Sequence, residues 1–276
     1  MNRLVNLGCG SRYHPSWINI DIEPTGPGVI AHDLSTGIPL KSGECDAVYH
    51  SHVLEHLRRS DARAFLTECA RVLKPGGIIR IAVPDLERIC RAYLTALESA
   101  LAGDPGAAAN YDWMMLELID QTTRERSGGE MAAFLRSDPL PNRAFILERI
   151  GEEGRRMIDS VRARDAAHGG HGQRPPRRSL RSIARGVRAR LTGLVTGRSA
   201  SRALAIGRFR LGGEVHQWMY DRYSLARLLA ECGFVDASVR SATDSLIPGW
   251  TGYNLDTLED GSPVKPDSLY MEAVKE

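Results

Sequence analysis

Short apolar runs recur through the first third of the chain, each closed by glycine or a carboxylate. Residues 3–7 (RLVNL) form the first and stop at Gly8-Cys9-Gly10. Residues 17–22 (WINIDI) alternate apolar with polar, the period of a half-buried strand, and residues 29–34 (VIAHDL) make a third run. Residues 46–50 (DAVYH) and 78–83 (IIRIAV) predict a fourth and a fifth strand. Between these two, Ala62, Phe65, Leu66, Cys69, Ala70 and Leu73 share one face of a helix over 60–73, with Ser60 or Asp61 as its N-cap. Lys74-Pro75-Gly76-Gly77 ends that helix, because proline cannot continue it. The pattern then predicts a helix from Leu86 to Leu101, irregular helix over 104–160, a Gly/Pro-rich linker over 168–178 and an apolar stripe of helical spacing over 179–195. A short helix from Tyr223 stops at Gly233, and two strands follow, FVDASVRSA and LYMEAVK.

Strands alternating with helices and loops predict an α/β, Rossmann-like, doubly wound and mostly parallel sheet. In such sheets ligands bind outside the carboxyl ends of the strands, where the strand order reverses. Gly8, Gly10, Asp21, Asp33, His50, Ser51, His52 and Asp85 end successive strands and would share that rim. The length of 276 residues allows a large core, and 42% hydrophobic with 25% charged residues is a globular composition. No apolar run reaches the length of a membrane span, and the N-terminus lacks the pattern of a signal peptide. Five cysteines without a C-x-x-C pair argue against a disulfide framework or zinc ribbon and predict buried thiols in a cytoplasmic protein.

Four features of the N-terminal region carry chemistry. Asn6-Leu7-Gly8-Cys9-Gly10-Ser11 follows a strand, so the backbone can come close to a ligand. Asp21 at the next strand end can accept both ribose hydroxyls of an adenosine. Asp33 can take an adenine amino group. DAVYHSHVLEH over 46–56 precedes a helix and LKPGG. Taken singly, G-x-G is a common turn and each acid reads as a solvated turn residue; their order and spacing together point to a nucleoside site.

The succession NLGCG, INIDI, HDL, DAVYHSHVLEHL and ECARVLKPGGIIRIAVPD resembles the class I S-adenosylmethionine-dependent methyltransferases. The nearest likeness is to the small methyltransferase-domain group often associated with bacterial sugar and cell-envelope synthesis. HQWMYDRYSLARLLAECGF and YNLDTLEDGSPVKPDSLYMEA resemble the same group. The likeness covers residues 1–94 and 214–276, with 104–212 outside it. It implies a seven-stranded sheet whose last strand is antiparallel, a cofactor-binding half over 1–103, a helical then Arg-rich insertion over 104–212, and a C-terminal part over 213–276. It implies that Gly8, Cys9 and Gly10 approach S-adenosyl-L-methionine, Asp21 with Ile22 meets the ribose, Asp33 with Leu34 meets adenine, and His50 and Ser51, with His52, line the methionine side. Two departures stand out. Asn6, also expected at the cofactor, occupies a position where many members carry an acid. Only six residues separate Gly10 from Trp17, so a loop replaces the usual first helix.

The resemblance implies methyl transfer to a saccharide or envelope-glycan hydroxyl; RNA, protein or a small metabolite as acceptor, or a non-catalytic cofactor-binding module, are the alternatives. Since the sulfonium methyl is already activated, alignment and a base for the acceptor are what the protein must add. His52, Glu55, His56, Asp85 and His216 are the candidates. Glu55 and His56 could instead brace the following helix, and Trp218, Tyr220 and Tyr223 could stack on a sugar or belong to the core. His52 to His56 also matches H-x-x-E-H, a zinc-peptidase pattern, but His52 stands at a strand end rather than on a helix, so no metal is expected. Residues 162–212 hold 13 arginines, no lysine and one acid, a net +12, which leaves −10 for the rest of a chain of net +2. Three readings of this insertion stay open: a solvated segment, a basic amphipathic helix over 179–211 resting on the inner face of an anionic membrane, or a nucleic-acid contact.

Overall fold

A computed structural model describes residues 3–169 and 199–276, and side chains up to 163 and from 199. The predicted linker beyond Gly169 and the whole arginine-bearing stripe at 179–195 lie outside the described residues. Seven strands form one sheet in the order β3-β2-β1-β4-β5-β7-β6. They are β1 (Leu4–Leu7), β2 (Ile18–Asp21), β3 (Val29–Ala31), β4 (Cys45–Ser51), β5 (Leu73–Pro84), β6 (Phe234–Arg240) and β7 (Ser268–Lys275). All pairs are parallel except those made by β7, which runs antiparallel to β5 and to β6. Chain order reverses between β1 and β4, and the turns after Leu7 and Ser51 open side by side there.

Helices cover both faces. On one, α1 (Arg59–Val72) sets Ala62, Phe65, Leu66, Cys69 and Ala70 against Val5, Leu7, Val48 and Ile79. Helix α1 begins at Arg59 with Arg58 as N-cap and no side-chain cap bond, so Ser60 and Asp61 lie inside its first turn. Helix α7 (Arg222–Glu231) completes this face, and its Asp221 and Ser224 form a reciprocal capping box. The 74–77 segment falls within β5 but is a bulge: the register against β4 jumps from Cys45–Leu73 to Ala47–Ile78, and Gly76 has a positive φ. On the other face Trp17, Tyr49 and Trp250 meet edge to face.

Helices α2 (Leu86–Ala102), α3 (Ala107–Thr123), α4 (Gly129–Phe134) and α5 (Arg143–Gly169) have a core of their own, built on Ile89, Trp113, Met114, Leu135, Ile146 and Ile158. Gly151 breaks α5 with non-helical φ and ψ, and an added Cβ there would meet Pro266. Residues 199–210 form α6, whose Arg210 donates to the carbonyls of Thr122 and Arg124. All five cysteines are free; Cys9, Cys45 and Cys69 are buried as expected, whereas Cys90 and Cys232 are only half-buried.

Candidate functional site

The turn after β1 is fixed by the strand beside it. Gly8 and Cys9 both donate to the Ile20 carbonyl, at 2.8 and 3.2 Å, and Gly10 donates to Asp21 Oδ2 at 2.8 Å. Gly8 has a φ of +65°, and a Cβ there would fall 2.4 Å from Val53 Cγ2, so the turns after β1 and β4 touch with no space for a side chain. Gly10, with a φ of +52°, faces open space. Residues 11–17 contain no helix, as the short spacing requires. Asn6 takes the place of a charge by holding this loop: its Nδ2 donates to the Arg12 carbonyl at 3.0 Å and to Asn19 Oδ1 at 3.3 Å.

A cavity of about 470 Å³ opens over these turns. Asn6, Gly8, Cys9, Gly10, Ser11 and Arg12 form its floor, Tyr49 and Ser51 one side, and Glu153, Arg156, Met157 and Ser160 of α5 the opposite wall. The volume suits a nucleoside-sized ligand. Asp21 sits at its edge through the Gly10 bond.

A second cavity, about 200 Å³, lies beside the first. Glu153, Met157 and Lys265 line both. His52, Glu55, His56 and His216 line the second, with Gln121, Arg124, Glu214 and Asp267. His52 prolongs the β4 ladder, its N–H bonding Ala82, yet has a φ of +54°, a left-handed conformation uncommon for histidine. That turn places its Nδ1 3.0 Å from Glu55 Oε1 and its Nε2 2.9 Å from Ser268 Oγ. Residues 54–56 form a single 3₁₀ turn. The Glu55 carbonyl accepts from Gln217 and Trp218, so the 214–220 segment is stitched to the turn and the rings of His56 and His216 stand 4.8 Å apart.

The electrostatics of this cluster follow from its burial. Desolvation lowers His216 to about 4 and lowers His56 as well, so both rings are neutral at pH 7. Burial also works against the Glu55 carboxylate, but the imidazoles around it, His52 first, outweigh that and bring it to about 2. Glu55 and the imidazoles thus titrate against one another: the charge of each favours that of its neighbour, and burial opposes both.

Residues 19–81 match the family profile described as a methyltransferase domain. The match spans less than a quarter of the chain. The activity it supports is S-adenosylmethionine-dependent methyl transfer. No curated protein matches it. Among solved structures, a SAM-dependent methyltransferase from Archaeoglobus fulgidus is 14% identical, with 99% of this chain and 86% of that chain covered and a TM-score of 0.40. A possible histamine N-methyltransferase from Thermotoga maritima is 10% identical, with 100% and 83% covered and a TM-score of 0.38. The putative methyltransferase in complex with the Trm112 activator from Haloferax volcanii is 11% identical, with 99% and 81% covered and a TM-score of 0.39. Likeness at this level says nothing of the acceptor or of partners.

Of the residues expected at the cofactor, the methyltransferase gathers Asn6, Gly8, Cys9, Gly10 and Ser51 around one cavity with Asp21 at its edge. Four lie elsewhere. His50 alternates to the opposite face of β4 from Tyr49 and Ser51, where it is fully buried beside Phe65, ring centroids 5.2 Å apart. Ile22 is 69% exposed. Asp33 lies beyond the end of β3 and caps a 3₁₀ turn, its carboxylate accepting from Ser35 N at 2.9 Å, while Leu34 leans on the main core. Of the candidate bases, Asp85 is outside both cavities: it is the N-cap of α2, accepting from Arg88 N at 3.1 Å. His52, Glu55, His56 and His216 come together. Trp218, Tyr220 and Tyr223 line a separate cavity of about 350 Å³ with Arg59 and Arg63, and the Arg59 guanidinium lies 4.7 Å from the Trp218 ring.

Sequence reasoning missed the α5 wall. Glu153, Met157 and Ser160 are spaced four and three apart and so share one helix face, but they lie in the region outside the family resemblance. It also missed Arg80. This fully buried guanidinium bonds Asp256 Oδ2 at 2.8 Å, Glu272 Oε1 at 2.9 Å and the carbonyls of Ser241 and Asp244. It lies 4.3 Å from the Trp250 ring. Asp256 in turn accepts the Tyr49 hydroxyl at 2.6 Å, which fixes neighbouring Leu255 at the larger cavity.

Proposed function

We propose that this methyltransferase transfers a methyl group between its two adjoining cavities, from cofactor in the larger to a hydroxyl in the smaller, and that the hydroxyl belongs to a saccharide or cell-envelope glycan intermediate. The observation that carries the reading is the shared lining of Glu153, Met157 and Lys265. A ligand on the glycine turns and one beside the histidine cluster would approach each other across these three residues. Bound in the larger cavity, S-adenosylmethionine supplies a sulfonium methyl already activated for displacement. The chain's own work is to align the acceptor and to receive its proton.

Gly8 and Gly10 would let the backbone come against the cofactor, and Asp21 would accept the ribose hydroxyls. An ionised carboxylate has about four acceptor positions, and Asp21 uses two on the N–H groups of Gly10 and Glu23, so capacity remains. Ser51 would face the methionine end. The His52, Glu55, His56 and His216 cluster would receive the acceptor oxygen in a polar cavity screened from water. The saccharide assignment rests on the resemblance of the sequence to envelope-associated methyltransferases.

The test is incubation of the full chain with labelled methyl donor and separate fractions of cell envelope, RNA, protein and small metabolites. Label in an alkali-stable ether on an envelope saccharide is the expected result. Label confined to RNA, protein or a metabolite would replace the acceptor class. Cofactor binding without transfer to any fraction would favour a binding module.

A further inference from the structure

Glu55, His56 and His216 present one ligand atom each, all within 4.8 Å of one another. Both Glu55 oxygens, His56 Nδ1 and His216 Nδ1 are buried and without hydrogen-bond partners. His52 Nδ1 lies 3.0 Å from Glu55 Oε1, and a carboxylate keeps further lone pairs for a second partner. An unpartnered buried polar atom is costly, more so when charged, so a carboxylate and two imidazoles converging on one point call for a partner. We propose that the partner is a divalent transition-metal cation held by the Glu55 carboxylate and the two imidazoles.

Three features fit this occupant. The donor set is two imidazoles and one carboxylate, a combination that binds zinc and other first-row divalent ions with coordination positions left open. An outer residue holds a ligand in place: His52 braces Glu55 while its far nitrogen meets Ser268. Such outer partners orient ligands in metal sites generally. Lastly, the open positions face the smaller cavity, where Asp267 Oδ1 is a further buried oxygen without a partner. Metal bonds of about 2.0–2.2 Å set neighbouring donor atoms closer than 4.8 Å, so the site contracts when it loads. No metal follows from H-x-x-E-H read as a helix, because the 54–56 segment is a 3₁₀ turn and His216 comes from far along the chain.

The cation would hold and polarise an oxygen of whatever enters the smaller cavity. This deepens the reading of that cavity as the acceptor site and rests on it for its purpose, though not for its geometry. The experiment strips the full chain with a chelator and titrates Zn²⁺, Mn²⁺ and Co²⁺ separately by calorimetry, following the visible spectrum of Co²⁺. One equivalent is expected for at least one ion. Glu55→Gln and His216→Ala should each weaken binding by at least about tenfold, and His52→Gln, acting through Glu55, by about 10- to 100-fold. Circular dichroism confirms folding, and Glu55→Gln keeps size and shape should His216→Ala fail to fold. Absence of binding for all three ions, or equal binding by wild type and Glu55→Gln, overturns the site. S-adenosylmethionine titration of the stripped wild type separates the two readings. Cofactor binding without metal binding sinks the metal alone, whereas metal binding without cofactor binding sinks the assignment of the larger cavity.

Discussion

Asp21→Ala divides into a structural and a functional loss that can be measured separately. In the free protein Asp21 accepts from Gly10 N at 2.8 Å and from Glu23 N at 3.2 Å. Both donors are at a wet rim, so water replaces the carboxylate, and the stability cost should be about 1 kcal/mol. Binding should suffer more. If the ribose hydroxyls use the remaining acceptor positions, the variant loses charge-assisted bonds of about 1.5–3 kcal/mol, which is roughly a 10- to 150-fold rise in Kd. Asp21→Asn keeps one acceptor oxygen but turns an amide donor toward either Gly10 or Glu23, so it should fall between wild type and alanine. Calorimetry with S-adenosylmethionine and its demethylated product reads the binding loss; urea unfolding reads the stability loss. A folded Asp21→Ala protein whose affinity stays within about twofold of wild type would remove Asp21 from the cofactor site and confine it to shaping the turn.

Arg80→Met strips the partner from Asp256 and Glu272 at the centre of the sheet. Breaking buried pairs from one side costs about 3–5 kcal/mol, and a urea-unfolding loss under about 1 kcal/mol would refute the role given to Arg80. Stability should also fall with acid through His50. Burial lowers its pKa to about 4, against 6.5 unfolded, so the unfolded chain binds more protons between those values. The contribution is complete above pH 6.5 and lost as pH falls toward 4, on the order of 3 kcal/mol in all. His50→Phe, if it folds, should flatten that part of the pH–stability curve, and an unchanged slope would show that other groups carry it.

What could be read from the chain beforehand follows the range over which each interaction acts. The β1 and β2 turns are local: Gly8, Gly10 and Asp21 are a few residues from the strands that aim them, and both strands and turns were legible. Asp33 and Asp85 also end their strands, yet each is engaged by a backbone N–H two or three residues ahead. A cap and a ligand-binding carboxylate look the same in sequence, because both need an acid at a strand-to-helix turn. His50 was misplaced for a different reason. Strand alternation alone separates it from Ser51, and that parity depends on which face of β4 receives α1. The α5 wall, the Arg80 network and the meeting of His216 with Glu55 are long-range, set by pairs more than a hundred residues apart, and no local pattern marks them. The consequence bears on the chemistry. On the proposed reading, residues close in sequence to the glycine turns shape the cofactor side, whereas the smaller cavity is assembled from the turn after β4, α3, α5 and the 214–220 segment. On that reading acceptor specificity can diverge through residues that line the smaller cavity alone while the glycine turns stay as they are, so exchanging Gln121 and Glu214 should alter which acceptor is methylated before it alters cofactor affinity.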